Sequence, residues 1–180
     1  MSREALDPAA AASPADSSGG GVSAVDAVLE HLDPAAAIVT VASDGVSAGC
    51  LVTFFMQASM DPLRFIVCLS KQNRTYRVAR SADSMVLHVL GAEEADLAEL
   101  FGGHSGDDID KFARCGWSPA ADGTPVLDRA PQWVRGSILD RVDTGDHVAF
   151  LLDAIDVAAP RRPVPLRFGD IRGITPGHLP

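Results

Sequence analysis

The chain has 180 residues, 47% of them apolar, with 24 Asp and Glu against 15 Lys and Arg and a net charge of -9. That is chain enough for one domain with a real core, and its acidic balance argues against general affinity for nucleic acid or an anionic membrane. No apolar run nears the roughly 20 residues that span a bilayer, and residues 1–21 lack the basic start and apolar core of a signal peptide, so a cytoplasmic protein is expected.

Residues 1–22 are Ala, Ser, Pro, Asp and Gly with little to bury, and are expected to be a disordered tail. A domain is expected over residues 23–160, followed by a Pro-rich extension over 161–180. Ser23 can cap a short helix carrying Val25, Val28, Leu29 and Leu32 at helical spacing, stopped by Asp33-Pro34. The period then changes. Ala37–Ala42 is short and β-branched, Ser43-Asp44-Gly45 is a turn, and Val46–Phe55 is expected as the returning strand. Further strands are expected at Arg64–Leu69 and Met85–Leu90, around a helix from Arg74 to about Arg80. A second helix covers Glu93–Phe101 and ends at Gly102-Gly103. Residues 106–125 are loop-rich, with a helical turn expected over 107–114 and a tight turn at Asp122-Gly123. Gln132–Val142 and His147–Val157 are the longest strands. The latter is apolar on both alternating sets, which calls for a covering helix or a partner subunit on its outer side. Six or seven strands with short helices make the fold mostly β, a small barrel with helical trim.

The chemistry-bearing stretch is Gly49–Arg80, two apolar strands that lead into Asn73-Arg74-Thr75 at a helix start. Unpaired N–H groups there suit an anion, and Lys71, Arg74, Arg77 and Arg80 crowd the same place in an acidic chain. Asn73 and Thr75 are equally readable as a cap and first-turn residue, and Arg77 and Arg80 as a solvated helix face. His88, flanked by Val86, Leu87, Val89 and Leu90, reads as a satisfied core or interface histidine. His147, after a Gly-Asp turn, is either turn-adjacent or a ligand-orienting group. Asp110-Lys111-Phe112 reads either as packing beneath a ligand or as a charged surface turn. Cys50, Cys68 and Cys115 fit no CxxC or zinc spacing, Cys50 and Cys68 read as buried strand residues, and no metal site is expected. GxGxxG, P-loop and GxSxG motifs are absent.

Several separated pieces, in order, resemble the flavin reductase-like family of FMN-binding split β-barrels, over about Pro34 to Val157. They are Ile38–Val41 with Ala48–Thr53, Ser59-Met60-Asp61-Pro62, Cys68-Leu69-Ser70 leading to Asn73-Arg74-Thr75, Asp110-Lys111-Phe112, Pro125–Asp128 and Gly145-Asp146-His147. The resemblance implies a homodimer with FMN near the subunit interface, FAD being the other flavin such a site can take, and NADH or NADPH as reductant. It puts backbone at Leu51, Val52 and Thr53 along the flavin ring edge and the phosphate on Asn73, Arg74 and Thr75. Lys71 assists from the strand end, and His147 guides the reductant. Relatives often carry hydroxyls along Thr-x-Ser-Ser-Phe-Thr-Ser, whereas this row reads Leu51-Val52-Thr53-Phe54-Phe55-Met56-Gln57; the Gln57 amide is the replacement donor and acceptor. The implied activity is NAD(P)H-dependent flavin reduction, serving a monooxygenase partner. The alternative is an FMN-binding electron-transfer or carrier protein without its own turnover.

Overall fold

The computed structural model describes residues 27–28 and 31–177, in two units that divide after Leu32. In the first unit Ala27, Val28, His31 and Leu32 are helical, and His31 Nδ1 lies 2.7 Å from Ala27 O. The expected tail and the Ser23 cap lie outside the described residues.

The second unit is built on one antiparallel seven-stranded sheet. Its strands are β1 (Ala37–Ser43), β2 (Val46–Val52), β3 (Phe55–Met60), β4 (Leu63–Ser70), β5 (Ser84–Val89), β8 (Trp133–Asp143) and β9 (His147–Ala158). Between β5 and β8 in the chain, β6 (Trp117–Pro119) and β7 (Pro125–Leu127) form a separate two-stranded ribbon. The order in the main sheet is β2-β1-β5-β8-β9-β4-β3. Asp44 and Gly45 both have positive φ (51° and 75°), the two-residue turn whose twist suits the β1–β2 hairpin.

The expected strand Val46–Phe55 is in fact two. β2 stops at Val52, and β3 starts at Phe55 on the opposite edge of the sheet, so Thr53-Phe54 carries the chain from one edge to the other. Cys68 N–H donates to Phe54 O at 2.9 Å, which ties this crossing to β4. Composition hides the break because Val52-Thr53-Phe54-Phe55 holds only strand-forming residues and no Gly, Pro, Asn or Asp; only pairing partners distinguish two edge strands from one long strand. Likewise Pro125–Asp128, expected as a turn, contributes β7, paired with β6 in register Trp117↔Leu127.

Two helices trim the sheet. α1 (Arg74–Ala79) buries Thr75 and Ala79 and rests Tyr76 edge-on to Phe150, ring centroids 6.4 Å apart. α2 (Ala95–Gly102) follows a 3-10 turn at Ala92–Glu94 and buries Leu97, Ala98 and Phe101. The helix ends at Gly102-Gly103 as expected, and Gly103 caps it with φ -80°. Gly102 is required by close approach: a Cβ there would stand 2.7 Å from Leu51 Cδ2.

β1 is the strand buried on both faces. Val39 and Val41 join Leu69, Met85, Leu87, Phe150 and Leu152 in the inner core, while Ile38 joins Leu90, Leu97, Phe101 and Leu127 in a second core under α2. Each fully buried large side chain contributes about 1.5–3 kcal/mol relative to exposure. β9 differs from expectation. Val148, Phe150 and Leu152 face the core, but Ala149 and Leu151 are half-buried and Ile155 is 49% exposed. The segment after Pro160 is packed with the rest: Leu166 and Ile171 are buried in the second core, and a four-residue helix, α3 (Phe168–Ile171), lies within it.

Candidate functional site

The end of β2 and the start of α1 meet although twenty residues separate them in the chain. They border three neighbouring clefts with shared walls. The first, about 210 Å³, is lined by Cys50, Leu51, Thr53, Asn73, Arg74 and Lys111 among others. The second, about 640 Å³, runs from Arg74 and Thr75 past residues 106–112 to Trp117. The third, about 140 Å³, lies against Leu51–Phe54, Asn73 and His147. The arrangement follows from the sheet order, since β2 is an edge strand and β4 feeds α1 from the opposite end.

At the helix start Asn73 Oδ1 accepts from Thr75 N–H at 2.9 Å, so the cap reading of Asn73 holds whatever else it does. The Thr75 hydroxyl is buried, makes no hydrogen bond of ordinary geometry and lies against the Cys50 thiol. Cys50 is pushed up to about 11 by burial, partly offset by Thr75, Lys111 and Asn73, so it is a neutral thiol at pH 7. It is a core residue that also borders the clefts.

The positive charge read from the sequence is largely answered. Arg77 donates twice to Asp107, at 2.7 and 2.5 Å, and Arg74 reaches the same carboxylate at 3.5 Å. The Arg77 contact chiefly holds the Asp107 carboxyl below the usual range. Lys71 Nζ donates to both oxygens of Asp143 at 2.9 and 2.8 Å and borders none of the three clefts. Gln57 is also apart: it is exposed on β3, and its amide donates to Ser59 O at 3.2 Å. The structure therefore brings together Leu51, Val52, Thr53, Asn73, Arg74, Thr75 and His147, and leaves Lys71 and Gln57 aside. Arg77 and Arg80 are on an exposed face, as their spacing suggests.

His147 opens β9, with Nδ1 2.9 Å from Asp146 Oδ1 and its ring 5.3 Å from that of Phe54. That contact holds the exposed Asp146 carboxyl below its ordinary range. His88 is a satisfied core histidine, bonded to Ile38 O through Nδ1 and to Leu127 N–H through Nε2. No group of His, Cys, Asp and Glu among the described residues suits a metal ion.

Sequence reasoning underweighted Lys111. It is 4% exposed, and its Nζ donates to Phe101 O at 2.9 Å and Gly49 O at 3.3 Å, so the surface-turn reading fails. Burial lowers its affinity for the proton. The residue joins β2, α2 and the loop between α2 and β6 at the floor of the site. Asp-Lys-Phe beside apolar residues was the available signal, but an isolated lysine gives no hint of two waiting carbonyls.

Residues 30–173 match the model of the flavin reductase like domain. The chain belongs to the flavin reductase-like family. A probable flavin reductase of Rhizobium meliloti is 31% identical over 63% of this chain and 36% of its own length. The reductase subunit HsaB of a flavin-dependent monooxygenase, from Mycobacterium tuberculosis, is 25% identical over 77% of this chain and 75% of its own. A flavin reductase domain protein from Arthrobacter has the same fold, with a TM-score of 0.71 at 18% identity, covering 81% of this chain and 91% of that one. This chain spans about a third to a half of the length of two of the curated relatives it matches. Among the described residues no helix of this flavin reductase-like chain is long and apolar enough to cross a membrane.

Proposed function

We propose that this domain is an NAD(P)H-dependent flavin reductase that takes FMN in the clefts between the end of β2 and the start of α1. The observation that carries the reading is the Thr75 hydroxyl. A buried hydroxyl with only the Cys50 thiol against it, beside an arginine at a helix start, is a donor set short of an oxyanion, and the phosphate of FMN fits it.

The other residues fit the same group. β2 is an edge strand, so one side of its backbone at Leu51 and Val52 lies outside the ladder and can meet the polar edge of a flavin ring. Leu51, Phe54 and Cys68 line the third cleft and exclude water from a ring there. Arg74 supplies charge to the phosphate by turning from its long contact with Asp107. Lys71 and Gln57 join the site only on leaving Asp143 and Ser59. When bound, the flavin supplies the redox chemistry, accepting hydride from the nicotinamide of NADH or NADPH. This chain's part is to orient and shelter the two rings, and it needs no nucleophile or acid/base pair. His147, with Nδ1 engaged by Asp146, has Nε2 left to orient the amide or phosphate of the reductant.

A split-barrel homodimer completes the reading. Ala149 and Leu151 on β9 pair with Cys68 and Ile66 on β4, giving the sheet an incompletely buried apolar strip of the kind a second copy covers. A monooxygenase partner is supported by the relative that is named as such an enzyme's reductase subunit. The test is titration with FMN and FAD, followed by NADH and NADPH oxidation with and without added flavin. Flavin-stimulated oxidation is expected. Binding without oxidation would favour the carrier alternative, and no binding would end both.

A further inference from the structure

The segment 161–177 has no part in the reduction proposed above, yet it builds one wall of the 210 Å³ cleft. It is stitched to the sheet: Leu166 N–H donates to Leu90 O at 2.9 Å, Ala36 N–H to Leu166 O at 2.8 Å, and Phe168 N–H to Pro34 O at 2.9 Å. Its far end is fixed as well. Gly177 N–H donates to Gly102 O at 3.0 Å, and a Cβ on Gly177 would overlap the backbone of His104 and Ser105. Between these anchors Phe168, Ile171, Ile174 and Pro176 share the cleft with Asn73 and Arg74.

We infer that this strap makes the site selective for a flavin mononucleotide over a flavin dinucleotide, an inference that rests on the flavin reading above. FMN ends at its phosphate, whereas FAD continues through a second phosphate to ribose and adenine. That continuation has two ways out. Along the strap it meets four hydrocarbon side chains, which offer no donor to a phosphate or a sugar hydroxyl, and beyond Arg74 only His104 and Ser105 add polar side chains at that end of the cleft. Past Arg74 it must enter the 640 Å³ cleft, where the Arg74 side chain lies so close over Gly106 that a Cβ there would stand 3.0 Å from Arg74 Cδ. Asp108 and Asp110 line that side beside Asp107, whose charge Arg77 and Arg74 already answer, and its remaining cation, Lys111, is engaged by two carbonyl oxygens. A second phosphate there meets like charge.

The experiment is quenching of flavin fluorescence by the full chain, titrated with FMN, FAD and riboflavin. Wild type is expected to bind FMN about tenfold or more tighter than FAD. Ile174→Ser and, separately, Pro176→Ser give the strap a hydroxyl and are expected to lower the FAD-to-FMN ratio of dissociation constants by roughly fivefold. Pro176 is exposed, so its replacement keeps the test open if Ile174→Ser unfolds. Equal binding of FAD and FMN by wild type, or a ratio that neither variant moves, overturns the inference while the flavin reading stands. Failure to bind any of the three flavins overturns both.

Discussion

Lowering the pH from 7 to 4.5 is expected to remove about 2–3 kcal/mol of stability through His88 alone. His88 is fully buried between β1 and β7, and burial lowers its pKa from 6.5 to about 4, against a smaller opposing effect of its bond to Ile38 O. The bonds explain why the neutral form fits. Nδ1 donates to the Ile38 carbonyl at 3.2 Å, so Nε2 carries the lone pair that accepts Leu127 N–H at 3.0 Å. A proton on Nε2 would set two donors face to face. Because the folded pKa lies below the unfolded one, the unfolded chain binds more protons between about pH 6.5 and pH 4, and stability falls with pH through that window. The fall from 6.5 to about 4 corresponds to about 3 kcal/mol when fully expressed. The assay is urea unfolding at pH 7, 5.5 and 4.5 for wild type and His88→Gln, whose amide oxygen can still accept from Leu127. Carboxylates such as Asp107 titrate in both proteins, so the difference between the two profiles isolates His88. Parallel profiles would refute the reasoning.

Four further outcomes are expected. Thr75→Val removes a hydroxyl whose one neighbour is the weakly bonding Cys50 thiol, so it should leave the ligand-free melting temperature nearly unchanged while weakening FMN about tenfold and riboflavin little; equal loss for both flavins would remove the phosphate from Thr75. Lys111→Met strands the carbonyls of Gly49 and Phe101 and is expected to destabilise by about 2–4 kcal/mol in urea unfolding, against a negligible change if the lysine were a surface residue. Leu151→Asp puts a charge on the outer side of β9, and in sedimentation velocity wild type is expected as dimers and the variant as monomers; an unchanged sedimentation coefficient would place the interface elsewhere. Gly102→Ala drives a Cβ against Leu51 at the cleft wall and is expected to weaken flavin binding, with Leu51→Ala restoring it; no recovery in the double variant would mean the clash is relieved another way.

Most strands were legible because their signals are local. Ala37–Ser43 alternates β-branched residues and ends at Asp44-Gly45, and His147–Ala158 is long and apolar; each lies within a residue or so of its expected limits. Where the local signal was ambiguous the reading failed, as at Thr53-Phe54, where an apolar run continues while the chain changes sheet edge. The candidate site divides the same way. Asn73 as a cap and Thr75 beside it follow from residue type and helix position. Lys71 and Gln57 were assigned by nearness in the chain, and the fold turns them to Asp143 and Ser59. Lys111 and the strap were out of reach, since their partners are Gly49, Phe101 and Gly102, far away in sequence.

The sequence by itself determined the mostly β character, the helix opening at Asn73, the apolar setting of His88 and, through motif order, the family. All of these depend on neighbours a few residues apart or on patterns kept in linear order. Only the tertiary structure decided which charges are free to meet a ligand, because an ion pair such as Arg77–Asp107 depends on a loop thirty residues away folding back over the helix start. It alone made the C-terminal segment a wall of the site, since that needed Gly177 to find Gly102 across the fold.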